Sequence, residues 1–398
     1  MGYGGNLWSL SLGHPSLSQI GSTETKHLQF LIRNFYHKVA CMNQKTFQPY
    51  CRPLLIGSIP LRDHREATEH ILAVTPEIPL WAQLPVYAHE GMMAQFLPGL
   101  PGYTISDGVE YVNTDSESFE DELVSFYEEY MGVTEGGQSL DQTRFVLDDT
   151  RAKGFSTLVQ MLKEKKPDLL AVKGQITGPI TFATGVKDQD KRAIFYNDQL
   201  RDAAVKLLAL KSAWQVEHLS QIQVPVIVFL DEPALAGFGS SEFISISKQD
   251  VLDCLNEIID QIHQKDGLAG VHVCANADWS VILDSNADIL SFDAYTYFDK
   301  LAIFSQDLTR FLDRGGIIAW GIVPTLEPEN IVRETADSLL SQLHAQIDHL
   351  IGLGIEREKL LAQSLITPSC GTGSLSAEQA QKVLTLTKEV SQAMRAEL

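Results

Sequence analysis

PVIVFLDEP, residues 225–233, decides how this chain folds. Val226 to Leu230 are all apolar, with no polar/apolar alternation, so a strand here must bury both faces. That is the habit of a parallel sheet covered by helices. The run then ends on two carboxylates and a proline, where a buried strand hands over to a loop.

Similar runs recur along the chain: LLIGSIP (54–60), PLWAQLPVY (79–87), DLLAVKGQI (168–176), LAGVHVC (268–274), ADILSFDAY (287–295), GGIIAWGIV (315–323) and KLLAQSLITPSC (359–370). Helix-like stretches such as DQLRDAAVKLLALKSAWQVEHL (198–219) and ENIVRETADSLLSQLHAQIDHLIGLG (329–354) separate most of them. Repeated β-then-α with buried strands predicts a parallel α/β sheet, and a count near eight favours a closed (β/α)8 TIM barrel over an open doubly wound sheet. Residues 53–398 are assigned to this domain, and residues 1–52 to an N-terminal extension. The extension carries HLQFLIRNFYHKVA, spaced as an amphipathic helix, and Met42 stands as a candidate second start. Residues 101–152 form an insertion after the second strand, whose DSESFEDELVSFYEEY predicts an acidic helix capped by Asp115.

A chain of 398 residues with 44% hydrophobic content can bury a large core. Its formal net charge of −20 argues against nucleic acid, whose binders need a basic face to displace counterions, and against an anionic membrane surface. No apolar run approaches the roughly 18 residues that a spanning helix needs, and the N-terminus lacks a basic start followed by an apolar core. These features predict a cytoplasmic protein. Five cysteines, Cys41, Cys51, Cys254, Cys274 and Cys370, are too few and too scattered for a disulfide framework. Cys254 sits at a helical core spacing in DVLDCLNEIIDQI, and neither Cys41 nor Cys51 has a metal-like neighbour. No glycine-rich phosphate loop supports nucleotide chemistry.

In a barrel of this kind, functional groups sit where strands end. Residues i and i+2 of a strand share a face, so His272 and Cys274 in VHVC converge on one volume. Alone, the pair reads better as a satisfied core pair than as a metal site. Cys370 in TPSCGTGSLS supplies a second thiol at another strand end, before glycines that let the backbone turn. Ligands spread over separate strands are the catalytic pattern of zinc, and the fourth position falls to Asp293, at the end of ADILSFD, or to a water.

These strand-end motifs, taken in order, resemble the catalytic domain of cobalamin-independent methionine synthase, in the superfamily it shares with uroporphyrinogen decarboxylase and the coenzyme M methyltransferases. IGSIP (56–60) resembles that domain's IGS-x-P strand, and VKGQITGPIT (172–181) its VKG-x-x-TGP-x-T segment. LDEPAL (230–235) resembles its DEPAL loop, while VHVC, ADILSFD and PSCG (368–371) follow the order of its zinc-ligand motifs. The resemblance spans roughly residues 53–390. It implies a zinc-dependent methyltransferase acting on a thiol, homocysteine or a relative, with His272, Cys274 and Cys370 as zinc ligands. Asp231 takes the catalytic and substrate-binding position that holds the amino group, Ser58 lies in the motif contacting the carboxylate end, and Glu90, in AHEGMMAQF, stands where the family has a substrate-binding glutamate.

Two features depart from the family. Its fourth ligand is a glutamate, where this chain has the shorter Asp293. Its long enzymes carry a second, N-terminal barrel that helps hold folate, for which this chain has no room. The donor is therefore expected to be methyl-folate or a methylcorrinoid protein. A metal-free decarboxylase of the superfamily needs an arginine-bearing N-terminal motif that is absent here. A non-catalytic binding barrel is the remaining alternative should Asp293 not complete the site.

Overall fold

In the computed structural model, which describes residues 47–238 and 245–398, the strands follow in chain order as β1 (Arg52–Pro53), β2 (Tyr103–Ser106), β3 (Val109–Val112), β4 (Val172–Thr177), β5 (Val226–Asp231), β6 (Leu268–Val273), β7 (Ile289–Phe292), β8 (Ile317–Val323) and β9 (Ser364–Pro368). Seven of them form one parallel sheet in the order β1-β9-β8-β7-β6-β5-β4. The amphipathic helix expected before Cys41, Cys41 itself and Met42 lie outside the described residues.

The sheet is curled. Segment 79–83 bonds to both of its edges: Lys173 N donates to Pro79 O at 2.8 Å, and Gln83 N to Gly57 O at 3.1 Å. Isolated bridges join Leu80 to Lys173 and Gln83 to Ser58. The expected strand PLWAQLPVY contributes only these single bridges, so the described residues form a curled seven-stranded parallel sheet, a half-barrel, and not the closed eight-stranded barrel that was expected. Pro79 and Pro85 explain the shortfall: neither has an N–H to donate, and together they confine the extended stretch to a few residues.

Helices follow the strands as the apolar spacing predicts. In chain order they are α1 (His64–Val74), α2 (Phe119–Thr134), α3 (Lys153–Lys165), α4 (Pro179–Gly185), α5 (Asp198–Leu219), α6 (Lys248–Gln264), α7 (Trp279–Asp284), α8 (Ala294–Ala302), α9 (Ser305–Asp313), α10 (Pro328–Arg333), α11 (Ala336–Gly352), α12 (Arg357–Ala362) and α13 (Ala377–Ala396). Helix α6 shows why such segments fold: Ser247 and Asp250 form a reciprocal capping box, and Val251, Cys254, Leu255, Ile258, Ile259 and Ile262 make its buried stripe. Cys254 is core, as its spacing predicted. Among the described residues no helix is long and apolar enough to cross a membrane.

The insertion is part hairpin, part helix. β2 and β3 pair antiparallel around Asp107–Gly108, both with positive φ (51° and 77°), the mirror-image turn that Asp-Gly favours. Helix α2 begins after Ser118, not Asp115, and neither residue makes a side-chain cap there. Its inner face is far from solvated: Phe119, Leu123 and Phe126 are buried, and Phe126 packs edge-on against Phe145 at 5.4 Å.

At the N-terminal ends of the strands, a histidine clasp holds α6 to the sheet. His263 Nε2 lies 2.8 Å from Asp288 Oδ2, which also accepts from Ala269 N at 2.7 Å. Burial disfavours the imidazolium, but the Asp288 hydrogen bond and charge outweigh it and raise the His263 pKa above its ordinary 6.5. A raised folded-state pKa gives stability that is complete below about 6.5 and disappears as pH climbs through the folded value. The pair is partly exposed, so screening trims it to about 1 kcal/mol or less. In urea melts, His263→Gln is expected to cost roughly that much at pH 6 and to approach wild type at pH 9; a gap that widens with pH would contradict this assignment.

Candidate metal centre

Two strand ends bring three ligand-type residues to one point. His272 is the penultimate residue of β6, Cys274 follows that strand, and Cys370 lies just past β9. The strands are parallel, so their C-terminal ends lie at one rim of the sheet, and one ligand atom from each residue falls within 4.8 Å of the others. His272 is only 2% exposed. Its Nδ1 sits 3.0 Å from Ser291 Oγ, whereas its Nε2 is buried with no hydrogen-bond partner. Buried polar nitrogens are nearly always paired. An orphaned Nε2 beside two sulfurs is the donor set of a soft divalent cation, so the residues fit a zinc ion.

The two thiols move each other's pKa in opposite directions. The hydrogen bond from Cys370, aided by His272, pulls the Cys274 thiol down to about 4, and the same contact together with burial pushes Cys370 far above the ordinary thiol range.

Asp293 stands outside this trio. It follows β7 and caps α8: its Oδ1 accepts from Thr296 N at 2.8 Å, while Oδ2 is buried and unpartnered. Burial pushes its carboxyl up to about 6. The extra reach of a glutamate is missing, and the capping bond uses one oxygen.

Asp231, the last residue of β5, lies in register between Thr177 of β4 and His272 of β6. Its Oδ1 is likewise buried without a partner. Burial raises its pKa to about 6, opposed by the neighbouring His272 and Lys173. Lys173 points into the curl of the sheet, fully buried, with Nζ 2.5 Å from Ile56 O, 3.3 Å from Gln175 Oε1 and 4.5 Å over the Phe229 ring. It joins β4 to the segment that leads into Gly57 and Ser58.

Ser58 touches the loop that carries Cys370. Its carbonyl accepts from Thr372 N at 2.9 Å and from Thr372 Oγ1 at 3.0 Å, and its Oγ accepts from Gly373 N at 3.2 Å. Ser58 and Cys370 line the same crevice. Glu90 is placed differently. It is 2% exposed, one oxygen is 2.7 Å from His64 Nε2 and the other accepts from Leu84 N at 2.8 Å. Both oxygens are engaged in fastening α1 to the 84–90 turn.

Several residues here escaped the sequence reading. Glu232, beside Asp231, turns away from the trio and accepts from Ile180 N, Thr181 N and Thr181 Oγ1 at 2.8, 2.8 and 2.6 Å. It ties the DEPAL loop to the start of α4, and burial pushes its carboxyl up to about 7 against those bonds. Ser291 and Lys173 were also missed. Each is a polar residue inside an otherwise apolar run, and that interruption was the available signal.

No protein-family model matches the chain, and no curated protein matches it. Similar solved structures include a B12-independent methionine synthase from Shewanella sp. W3-18-1 in complex with selenomethionine, at 17% identity and a TM-score of 0.42. That similarity covers 60% of this chain and 66% of that one, just under two thirds of the synthase's length. The tandem GH20 catalytic modules of the pneumococcal exo-β-D-N-acetylglucosaminidase StrH are 10% identical, with 86% of this chain and 85% of that chain covered and a TM-score of 0.43. A Cellulomonas fimi endo-β-1,4-mannanase double mutant is 13% identical over 64% of this chain and 61% of its own, with a TM-score of 0.31.

Proposed function

We propose that this protein is a zinc-dependent methyltransferase that moves a methyl group to a thiol, with homocysteine as the acceptor and methionine as the product. The observation that carries the reading is the gathering of His272, Cys274 and Cys370 around a buried, unpartnered imidazole nitrogen. The ordered motifs from IGSIP to PSCG support the same reading through their resemblance to cobalamin-independent methionine synthase. On this reading residues 53–398 are the catalytic domain and residues 1–52 an extension.

His272, Cys274 and Cys370 hold the ion, and the unpartnered Oδ2 of Asp293 is the residue nearest in kind to a fourth ligand. Bound zinc lowers the pKa of a coordinated thiol, so a substrate sulfur stays nucleophilic at neutral pH. The remaining groups bind and orient. Asp231 Oδ1, with nothing else to bond, receives the substrate ammonium; the Ser58 segment, clasped to the Cys370 loop, borders its carboxylate end. Burial pulls the Lys173 ammonium down to about 7, with Asp231 opposing the fall, and in its charged form Lys173 favours the ionised form of Asp231. Fixing both ends of a short thiol in this way turns a collision into an oriented attack on the donor's methyl carbon.

The test is metal content together with an acceptor assay. Purified protein is expected to carry close to one zinc per chain and to form methionine from homocysteine with methyltetrahydrofolate or methylcobalamin, the two donors being run side by side. Protein that holds no divalent metal, either as isolated or after incubation with zinc under reducing conditions, would overturn the reading.

A further inference from the structure

We infer that Ser291 is a positioning residue for the metal centre: its hydroxyl fixes the tautomer of His272 so that Nε2 presents a lone pair to the ion. The inference rests on the metal-centre reading above and goes beyond it, because Ser291 contacts neither ion nor substrate.

β6 and β7 run parallel with His272 and Ser291 as register partners. In a parallel pair such residues project to the same face. Both are buried, Ser291 completely, so neither can exchange its partner for water. The 3.0 Å contact engages Nδ1, leaving Nε2 as the ring's free corner. A neutral imidazole carries one proton on one nitrogen. Were that proton on Nε2, the nitrogen would turn an N–H and not a lone pair toward the two sulfurs, and a cation held there would lose its imidazole ligand. With the proton on Nδ1, it is donated to Ser291 Oγ and both nitrogens have a use. The strand on the other side supplies no rival: Asp231, the register partner of His272 on β5, leaves its own Oδ1 unbonded.

Such outer partners of a metal-bound histidine orient the ring and typically govern metal affinity by about 10–100-fold. Serine is a neutral acceptor, so it sets direction without adding charge to a centre that already has two sulfurs.

The experiment compares wild type, Ser291→Ala and Ser291→Thr in the full chain. Zinc affinity is read by competition with a chromophoric chelator, and the metal-free melting temperature is read separately. Ser291→Ala is expected to bind zinc about 10–100-fold more weakly, with the metal-free melting temperature lowered by only a few degrees for the lost buried hydrogen bond. Ser291→Thr keeps the hydroxyl and is expected to recover wild-type affinity to within about threefold. Zinc bound by Ser291→Ala as tightly as by wild type would overturn the inference, as would a threonine variant no better than alanine in a chain that melts normally. Wild type that takes up no zinc would instead sink the metal reading, and this inference with it.

Discussion

Cys370→Ser is expected to release the metal and abolish methyl transfer while the chain stays folded. Zinc held by a full set of protein ligands is worth about 10–16 kcal/mol, so a single thiolate accounts for roughly 3 kcal/mol, or on the order of 100-fold in affinity. A serine hydroxyl does not ionise at neutral pH and cannot substitute. Folding should survive because Cys370 lies past the end of β9, in a loop held by the Ser58–Thr372 bonds and not by its own sulfur. The measurements are zinc per chain after dialysis against a weak chelator, methionine formation, and far-UV circular dichroism. Retention of zinc by the folded variant would mean that Cys370 is a bystander and not a ligand.

Asp231→Asn is expected to damage acceptor recognition more than metal binding. A hydrogen bond to a charged group is worth about 1.5–3 kcal/mol, so the KM for homocysteine should rise roughly 10- to 100-fold while zinc content holds. The amide keeps the shape and loses the charge. A sharper readout uses the amine-free analogue 4-mercaptobutanoate: wild type should discriminate against it, and the variant should treat both thiols nearly alike. If Asp231→Asn discriminates as wild type does, the unbonded Oδ1 serves some other group than the ammonium.

The parts of this fold that could be read in the sequence are those decided locally. Val226–Leu230 had to be a doubly buried strand because nothing in it tolerates water, and α6 advertised itself by its stripe of apolar residues and its serine cap. PLWAQLPVY misled because its composition is that of a strand, while its prolines break the ladder only when the neighbouring edges are considered. Asp107–Gly108 was a hairpin signal in plain view, overlooked because the acidic helix behind it dominated that region.

At the rim of the sheet, the i, i+2 rule placed His272 and Cys274 on one side, and strand-end position marked Cys370. Glu90 was beyond local reasoning: its pairing with His64, 26 residues earlier, is a tertiary event that no spacing announces. Asp293 shows a subtler limit, since the same carboxylate serves as a helix cap and as a candidate ligand, and sequence cannot apportion its two oxygens.

The clasp between Ser58 and Thr372 spans 314 positions, and Gly371 is glycine because any side chain there would strike the Ser58 hydroxyl. During synthesis on the ribosome, the half-site His272 and Cys274 emerges long before its third member. The centre can be completed only after Cys370 has emerged and the Ser58 and Thr372 segments have met. Until then both cysteines are open to oxidants and stray ions, and because each stays partly exposed after folding, a reducing surrounding protects the finished centre as well.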